Sequence, residues 1–152
     1  MPPALKPKVW WLLIGTNDLG SDSCNANAIT VGNIRIVEEI RQHQPNATIV
    51  INSLLPRSNE ELAHNANPYW NVLRQVNHRL ECYANHTPGV EFFNATTIFV
   101  SQDPAEKGDY YINKTLMDAH YLHPSGEGSL LWGQAIVKKV QSLIAALPPG
   151  KN

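Results

Sequence analysis

Val9-Trp10-Trp11-Leu12-Leu13-Ile14-Gly15-Thr16-Asn17-Asp18 is the stretch whose reading decides the architecture. Six apolar residues stop at a glycine, the pattern of a strand buried on both faces, as in a parallel sheet. In open parallel sheets, ligands and chemistry gather just beyond the carboxyl ends of the strands. Asn17 then stands at such an end, with a side-chain amide able to donate hydrogen bonds into a cleft. By itself Gly-Thr-Asn-Asp reads first as a turn, which these residue types make readily. The rest of the chain has to choose.

Working outward, strand and helix alternate. A polar loop covers Leu19 to Asn25, and Ile29, Ile36 and Ile40, flanked by Ile34 and Val37, then make a stripe at helical spacing. That helix ends near His43, because Gln44 precedes Pro45. Thr48-Ile49-Val50-Ile51-Asn52-Ser53 is a second β-rich run, stopped by Leu54-Leu55-Pro56-Arg57, and a long polar loop runs on through Asn67. Trp70, Leu73, Leu80 and Ala84 share a face of the next helix, which Pro88-Gly89 closes. Val90-Glu91-Phe92-Phe93 is a third short strand, and Asn94 to Leu122 reads as irregular. Ser125 caps a last helix with Glu127 near its positive end, and Trp132, Ile136, Val140, Leu143 and Leu147 form its expected buried stripe. This order implies an α/β domain of three layers, α/β/α, its parallel strands joined by right-handed crossovers. Asn17, Arg57 and the segment before Ser125 then share the carboxyl edge.

The 152 residues suit one domain, with residues 1–7 as an extended leader. A hydrophobic content of 43% with 16% charged residues describes a soluble globular protein. A net charge of -1 offers no electrostatic reason to expect nucleic acid as a partner. No apolar run approaches the roughly 20 residues of a transmembrane helix. The start has no apolar core of a signal peptide, while Asn-x-Ser/Thr sequons at Asn46, Asn85, Asn94 and Asn113 hint at the secretory pathway; the compartment stays open. Cys24 and Cys82 lack metal-ligand spacing. Cys24 follows a strand at the carboxyl edge and Cys82 lies far down a helix leading away from it. That puts them on the order of 20 Å apart, so two free thiols are expected.

The second informative segment is Asp118-Ala119-His120-Tyr121-Leu122-His123-Pro124-Ser125-Gly126-Glu127-Gly128. His123 sits just before a helix at the carboxyl edge, where an imidazole of near-neutral pKa can act as a general base. Pro124 fixes the backbone that enters the helix. Asn17 as oxyanion donor and His123 as base are half of a hydrolase site.

At this point the chain resembles the SGNH (GDSL-type) hydrolases, and among them the platelet-activating-factor acetylhydrolase type I group. Gly15-Thr16-Asn17-Asp18 is similar to the family's Gly-x-Asn-Asp block and Leu54-Leu55-Pro56-Arg57 to a Leu-Leu-Pro-Arg stretch of that group. Val76-Asn77 and Tyr121-Leu122-His123 match the same group, and Pro124-Ser125 with Glu127-Gly128 resembles a His-Pro-Ser-x-x-Gly ending. The resemblance runs from about Val9 to Leu143 with its blocks in family order. It implies a flavodoxin-like SGNH fold and ester hydrolysis through an acyl-serine, with no metal or cofactor. The substrate it implies is a small-molecule ester or an acylated sugar. Asn17 is then the oxyanion donor, His123 the base, Asp18 a support for the turn, and Arg57 a structural residue beside the cleft.

Two departures shape the expectation. The family's nucleophile belongs to a Gly-Asp-Ser block on an earlier strand, and a second, glycine oxyanion donor follows it; nothing upstream of Lys8 supplies either. Ser21 and Ser23 in Gly20-Ser21-Asp22-Ser23 lack a strand–turn–helix setting of their own, so neither is assigned that role. The triad acid, usually three residues before the histidine, is replaced by His120, which leaves Asp118 as a surrogate acid. The chain therefore reads as the carboxyl-terminal part of an ester hydrolase whose amino-terminal strand is missing, inactive by itself. Val9 to Ile14 would then present an apolar edge. A non-catalytic module on the same scaffold, binding an acylated carbohydrate or a protein, is the alternative. An unrelated flavodoxin-like binding domain would need a phosphate loop, and Leu19 to Asn25 contains only Gly20.

Overall fold

β2 (Thr48–Asn52) is the centre of a three-stranded parallel sheet, between β1 (Val9–Leu12) and β3 (Val90–Phe93). The architecture comes from a computed structural model that describes residues 7–20, 25–58, 67–102 and 110–146. In register, Trp11 pairs with Val50 and Val50 with Glu91. Ile49, Val50 and Ile51 are each no more than 1% exposed, so the run covered on both faces is β2.

The opening stretch is not buried on both faces, and it forms the apolar edge expected of it without a preceding strand. Among the described residues β1 is an edge strand that stops at Leu12; Val9, Trp10 and Trp11 are half-buried and Ile14 is 41% exposed. Full burial needs a neighbour on each side, and β1 has one only at β2.

The period of two along the strands sorts side chains between two helical layers. Ile49 and Ile51 face α2 (Ala26–His43) and α3 (Trp70–Asn85), packing with Ile29, Val37, Leu73, Val76 and Leu80. The Tyr83 hydroxyl donates to Glu38 and joins those helices. Across the sheet lies α4 (Gly126–Ala145), where Lys139 pairs with Glu91 at 3.0 Å. The second core, Leu55, Ala95, Phe99, Ile112, Leu116 and Met117, includes residues of the chain after β3. The result is a three-layer α/β/α arrangement.

Two further expectations change. The segment after β3 is not wholly irregular. It forms a 3-10 turn (Ala95–Ile98) and an antiparallel pair, β4 (Val100–Gln102) with β5 (Tyr110–Ile112). Three-residue strands are too short to print a period. Along α4, Trp132, Ile136, Val140 and Leu143 are half-buried, and Leu130, Leu131, Val137 and Ile144 are between 41% and 61% exposed. A helix apolar on both sides belongs in an interior, and the described residues cover one side. Leu147 falls outside the described residues, as do Ser21, Ser23 and Cys24; Cys82 is free and exposed.

One buried amide ties the layers together. Asn52 Oδ1, at the carboxyl end of β2, accepts from Trp11 Nε1 at 3.2 Å and from Trp132 Nε1 at 3.1 Å. Its own amide donates to the Ser53 carbonyl at 2.7 Å. Asn52→Leu strips the acceptor from two indole donors, so a loss of about 2–4 kcal/mol is expected from urea midpoints. An unchanged midpoint would show that water satisfies both indoles.

Candidate active site

The turn after β1 is built on Gly15, whose φ of +117° suits glycine alone and whose added Cβ would lie 2.8 Å from Ile29 Cγ2. Asn33 Nδ2 holds the strand's exit by donating to the Ile14 carbonyl at 3.1 Å. The chain then makes one helical turn, α1 (Thr16–Leu19), closed by Leu19 N to Gly15 O and Gly20 N to Asn17 O. Asn17 sits on its exposed side, and among the described residues its side chain has no hydrogen-bond partner. An uncommitted amide just past a strand's carboxyl end is free to donate to a ligand.

Leu54–Ser58, following β2, is unusually well held for a loop. Leu54 receives strand-like bonding from a side chain: its N–H donates to Asn77 Oδ1 at 2.7 Å, and its carbonyl accepts from Asn77 Nδ2 at 3.1 Å. The Thr96 hydroxyl adds a bond to the same carbonyl at 2.9 Å. Further on, Arg57 Nη1 donates to the Thr16 carbonyl at 2.6 Å and Ser58 N to the Tyr121 carbonyl at 3.1 Å. This short segment therefore bonds to the peptide preceding Asn17 and to the loop carrying His123.

The His123 loop is a tight backbone knot. Asp118 N donates to the His123 carbonyl at 2.7 Å, Tyr121 N to the Asp118 carbonyl at 3.0 Å, and Tyr121 has a φ of +49°. Asp118 Oδ1 accepts from the amides of His120 (3.1 Å) and Leu122 (3.0 Å). The Leu122 amide foremost, with those of His123 and His120, holds the Asp118 carboxyl below its ordinary value against a counteracting desolvation. As a depressed carboxylate it contributes order above its ordinary pKa of 3.8, and that contribution fades as pH falls through the lowered value. Asp118→Asn keeps an acceptor and removes the charge. Its stability deficit at pH 7, read from urea midpoints, is expected to shrink toward zero as pH falls through the lowered carboxyl value; a deficit independent of pH would refute the charge's part. Ser125 then caps α4, accepting from Gly128 N at 3.1 Å, as its sequence position suggests.

Asp118 and His123 thus share one turn, and Arg57–Ser58 links that turn to Asn17. Among the described residues no hydrogen bond joins the side chains of Asn17, Asp118 and His123, and no three His, Cys, Asp or Glu side chains gather as a metal site. His120 and His123 are both exposed. A cavity of about 290 Å³ between α3 and β3, walled by Trp70, Phe92 and Tyr110, involves none of these residues. No described helix is long and apolar enough to cross a membrane. The roles of Asn52 and Asn77 escape a sequence reading because their bonds reach 41 and 23 residues away.

Residues 1–131 match the sequence profile of the GDSL-like lipase/acylhydrolase family. The chain belongs to that family. As a GDSL-like family member it is similar to platelet-activating factor acetylhydrolase IB subunits, alpha2 of Gallus gallus and alpha1 of Homo sapiens. Each is 31% identical over 99 residues, which is 65% of this chain but 40% and 39% of those proteins. The chain thus spans about two fifths of the curated relatives it matches. Two solved structures share its fold. One, from Streptococcus pneumonia and named for platelet activating factor, has a TM-score of 0.68 at 23% identity, over 87% of this chain and 59% of that one. A GDSL-like lipase from Bacteroides thetaiotaomicron has a TM-score of 0.66 at 22% identity, over 93% and 64%.

Proposed function

We propose that this chain carries the base and an oxyanion donor of a serine-dependent carboxylic ester hydrolase, the nucleophile being a Gly-Asp-Ser serine borne outside these 152 residues. The observation that supports it is the double tie of Arg57–Ser58 to the Asn17 turn and the His123 loop. Asn17 follows the carboxyl end of β1, and the His123 loop is tied to the segment that leaves the carboxyl end of β2, the edge where chemistry gathers in such sheets. In this reading the His123 imidazole takes the proton of the serine hydroxyl as its oxygen attacks the ester carbonyl. The Asn17 amide donates to the oxygen on which negative charge develops. The imidazolium then protonates the departing alkoxide, and water, deprotonated by the same ring, releases the acid. Asp118 is the surrogate for the triad acid. The acetylhydrolase names of the chicken and human relatives favour a short acyl group on a small-molecule ester.

The coding sequence upstream of Met1 tests the reading first: an in-frame Gly-Asp-Ser after an apolar strand is expected, and without one it fails. The 152-residue chain is expected to resist a fluorophosphonate probe; labelling lost in Ser21→Ala or Ser23→Ala would move the nucleophile inside it. His120 at the triad-acid position favours a second reading, a non-catalytic module binding an acylated carbohydrate or a protein. A complete Gly-Asp-Ser protein that turns over no 4-nitrophenyl acetate would favour that module.

A further inference from the structure

We propose that Arg57 is a positioning residue for Asn17, holding the turn from which Asn17 donates, an inference that rests on the oxyanion role given to Asn17 above. A single helical turn has little stability of its own, because helix nucleation is costly. α1 contains four residues, so something outside it has to fix the direction of its side chains. Arg57 does so from below. Its Nη1 donates at 2.6 Å to the Thr16 carbonyl, the oxygen of the peptide bond that leads into Asn17. Where the turn ends, both Nη atoms would lie 3.0 Å from a Cβ placed on Gly20. The guanidinium therefore spans the underside of the turn from its entry to its exit.

Two other groups hold the guanidinium and its backbone. Its carbon lies 4.8 Å from the centre of the Tyr69 ring, and the Asn67 amide donates to the Arg57 carbonyl at 2.8 Å. Arg57 Nε is buried with no hydrogen-bond partner among the described residues, an unfavourable state that a purely superficial arginine would escape by turning outward. A planar cation can stack on Tyr69 and donate sideways at once; an ammonium cannot match that geometry. Because Ser58 N, the next amide along, bonds to the Tyr121 carbonyl, the segment that aims Asn17 also fixes its spacing from His123.

The test uses the 152-residue chain for exchange and its Gly-Asp-Ser-bearing parent for kinetics. In Arg57→Ala, amide exchange at Leu19 and Gly20 is expected to rise about tenfold while Ile49 to Ile51 stay protected. Methylguanidinium should reverse the rise, and Arg57→Lys should restore it only in part. With 4-nitrophenyl acetate, Arg57→Ala is expected to lower kcat by about ten- to a hundredfold with KM unchanged. It should cost nothing more in an Asn17→Ala background. A merely structural role would make the two losses multiply. Unchanged exchange at Leu19 and Gly20, or multiplying losses, overturns the proposal. If Asn17→Ala alone leaves kcat intact, the oxyanion reading fails and takes this inference with it, whereas the exchange data separately judge Arg57's hold on the turn.

Discussion

Gly128→Ala is expected to destabilise the fold by at least about 3 kcal/mol, as overpacking against backbone does at its severe end. A Cβ on Gly128 would run into the Leu116 carbonyl oxygen and lie 2.9 Å from its carbon and 3.0 Å from Phe99 Cε1. None of these can retreat cheaply. The Leu116 oxygen accepts from Ser125 N at 2.9 Å, and Phe99 is completely buried, edge-on to Trp132. Either α4 lifts off or its Ser125 cap breaks, and His123 lies two residues before that cap. Gly126 is the internal control: its Cβ would meet nothing within 4 Å, so Gly126→Ala should be neutral or stabilising by up to about 1 kcal/mol. Thermal unfolding followed by circular dichroism separates the two. Equal midpoints would mean that α4 has room to shift away from Leu116 at no cost. The glycine of the His-Pro-Ser-x-x-Gly ending is thus required by steric contact, with chemistry served only indirectly.

The second large effect is on rate. In the proposed Gly-Asp-Ser-bearing parent, Asn17→Ala is expected to lower kcat by about 10²–10³, the ordinary cost of one oxyanion donor. His123→Ala should cost about 10²–10⁴ or more, since it removes the proton carrier from both half-reactions. Because both residues are exposed and their side chains make no hydrogen bond among the described residues, neither change should move the urea midpoint by more than about 0.5 kcal/mol. That separation of rate from stability is the diagnostic. A variant that loses both equally would place its residue among the structural ones. Asn17→Asp sharpens the test, since a carboxylate keeps the size and puts an acceptor where the oxyanion needs a donor. It should be no better than alanine, and a fully active Asn17→Asp would remove the oxyanion role.

What could be read along the chain was whatever is encoded by neighbours. α2 shows its stripe and ends at His43 ahead of Pro45; β2 is a β-branched run; Ser125 stands three residues before the amide it caps. Gly15 marks the turn after β1, and Asn17 and His123 stand out because short ordered blocks surround them. Less legible were β4 and β5, whose three-residue strands are too short to show a period, and the exposure of α4, which depends on what lies against it.

Local patterning, through period, caps and turn residues, is a property of adjacent residues, so the sequence by itself determined strands β1 to β3, the long helices around them and where along the chain the two candidate groups stand. Which strand is central, which face of α4 is covered and what holds the Asn17 turn depend on contacts between residues far apart in the chain. Arg57 reaches Thr16 across 41 residues and Asn52 joins Trp11 to Trp132. No neighbouring residue signals those meetings. They exist only once the chain has closed, and so only the tertiary structure could decide them.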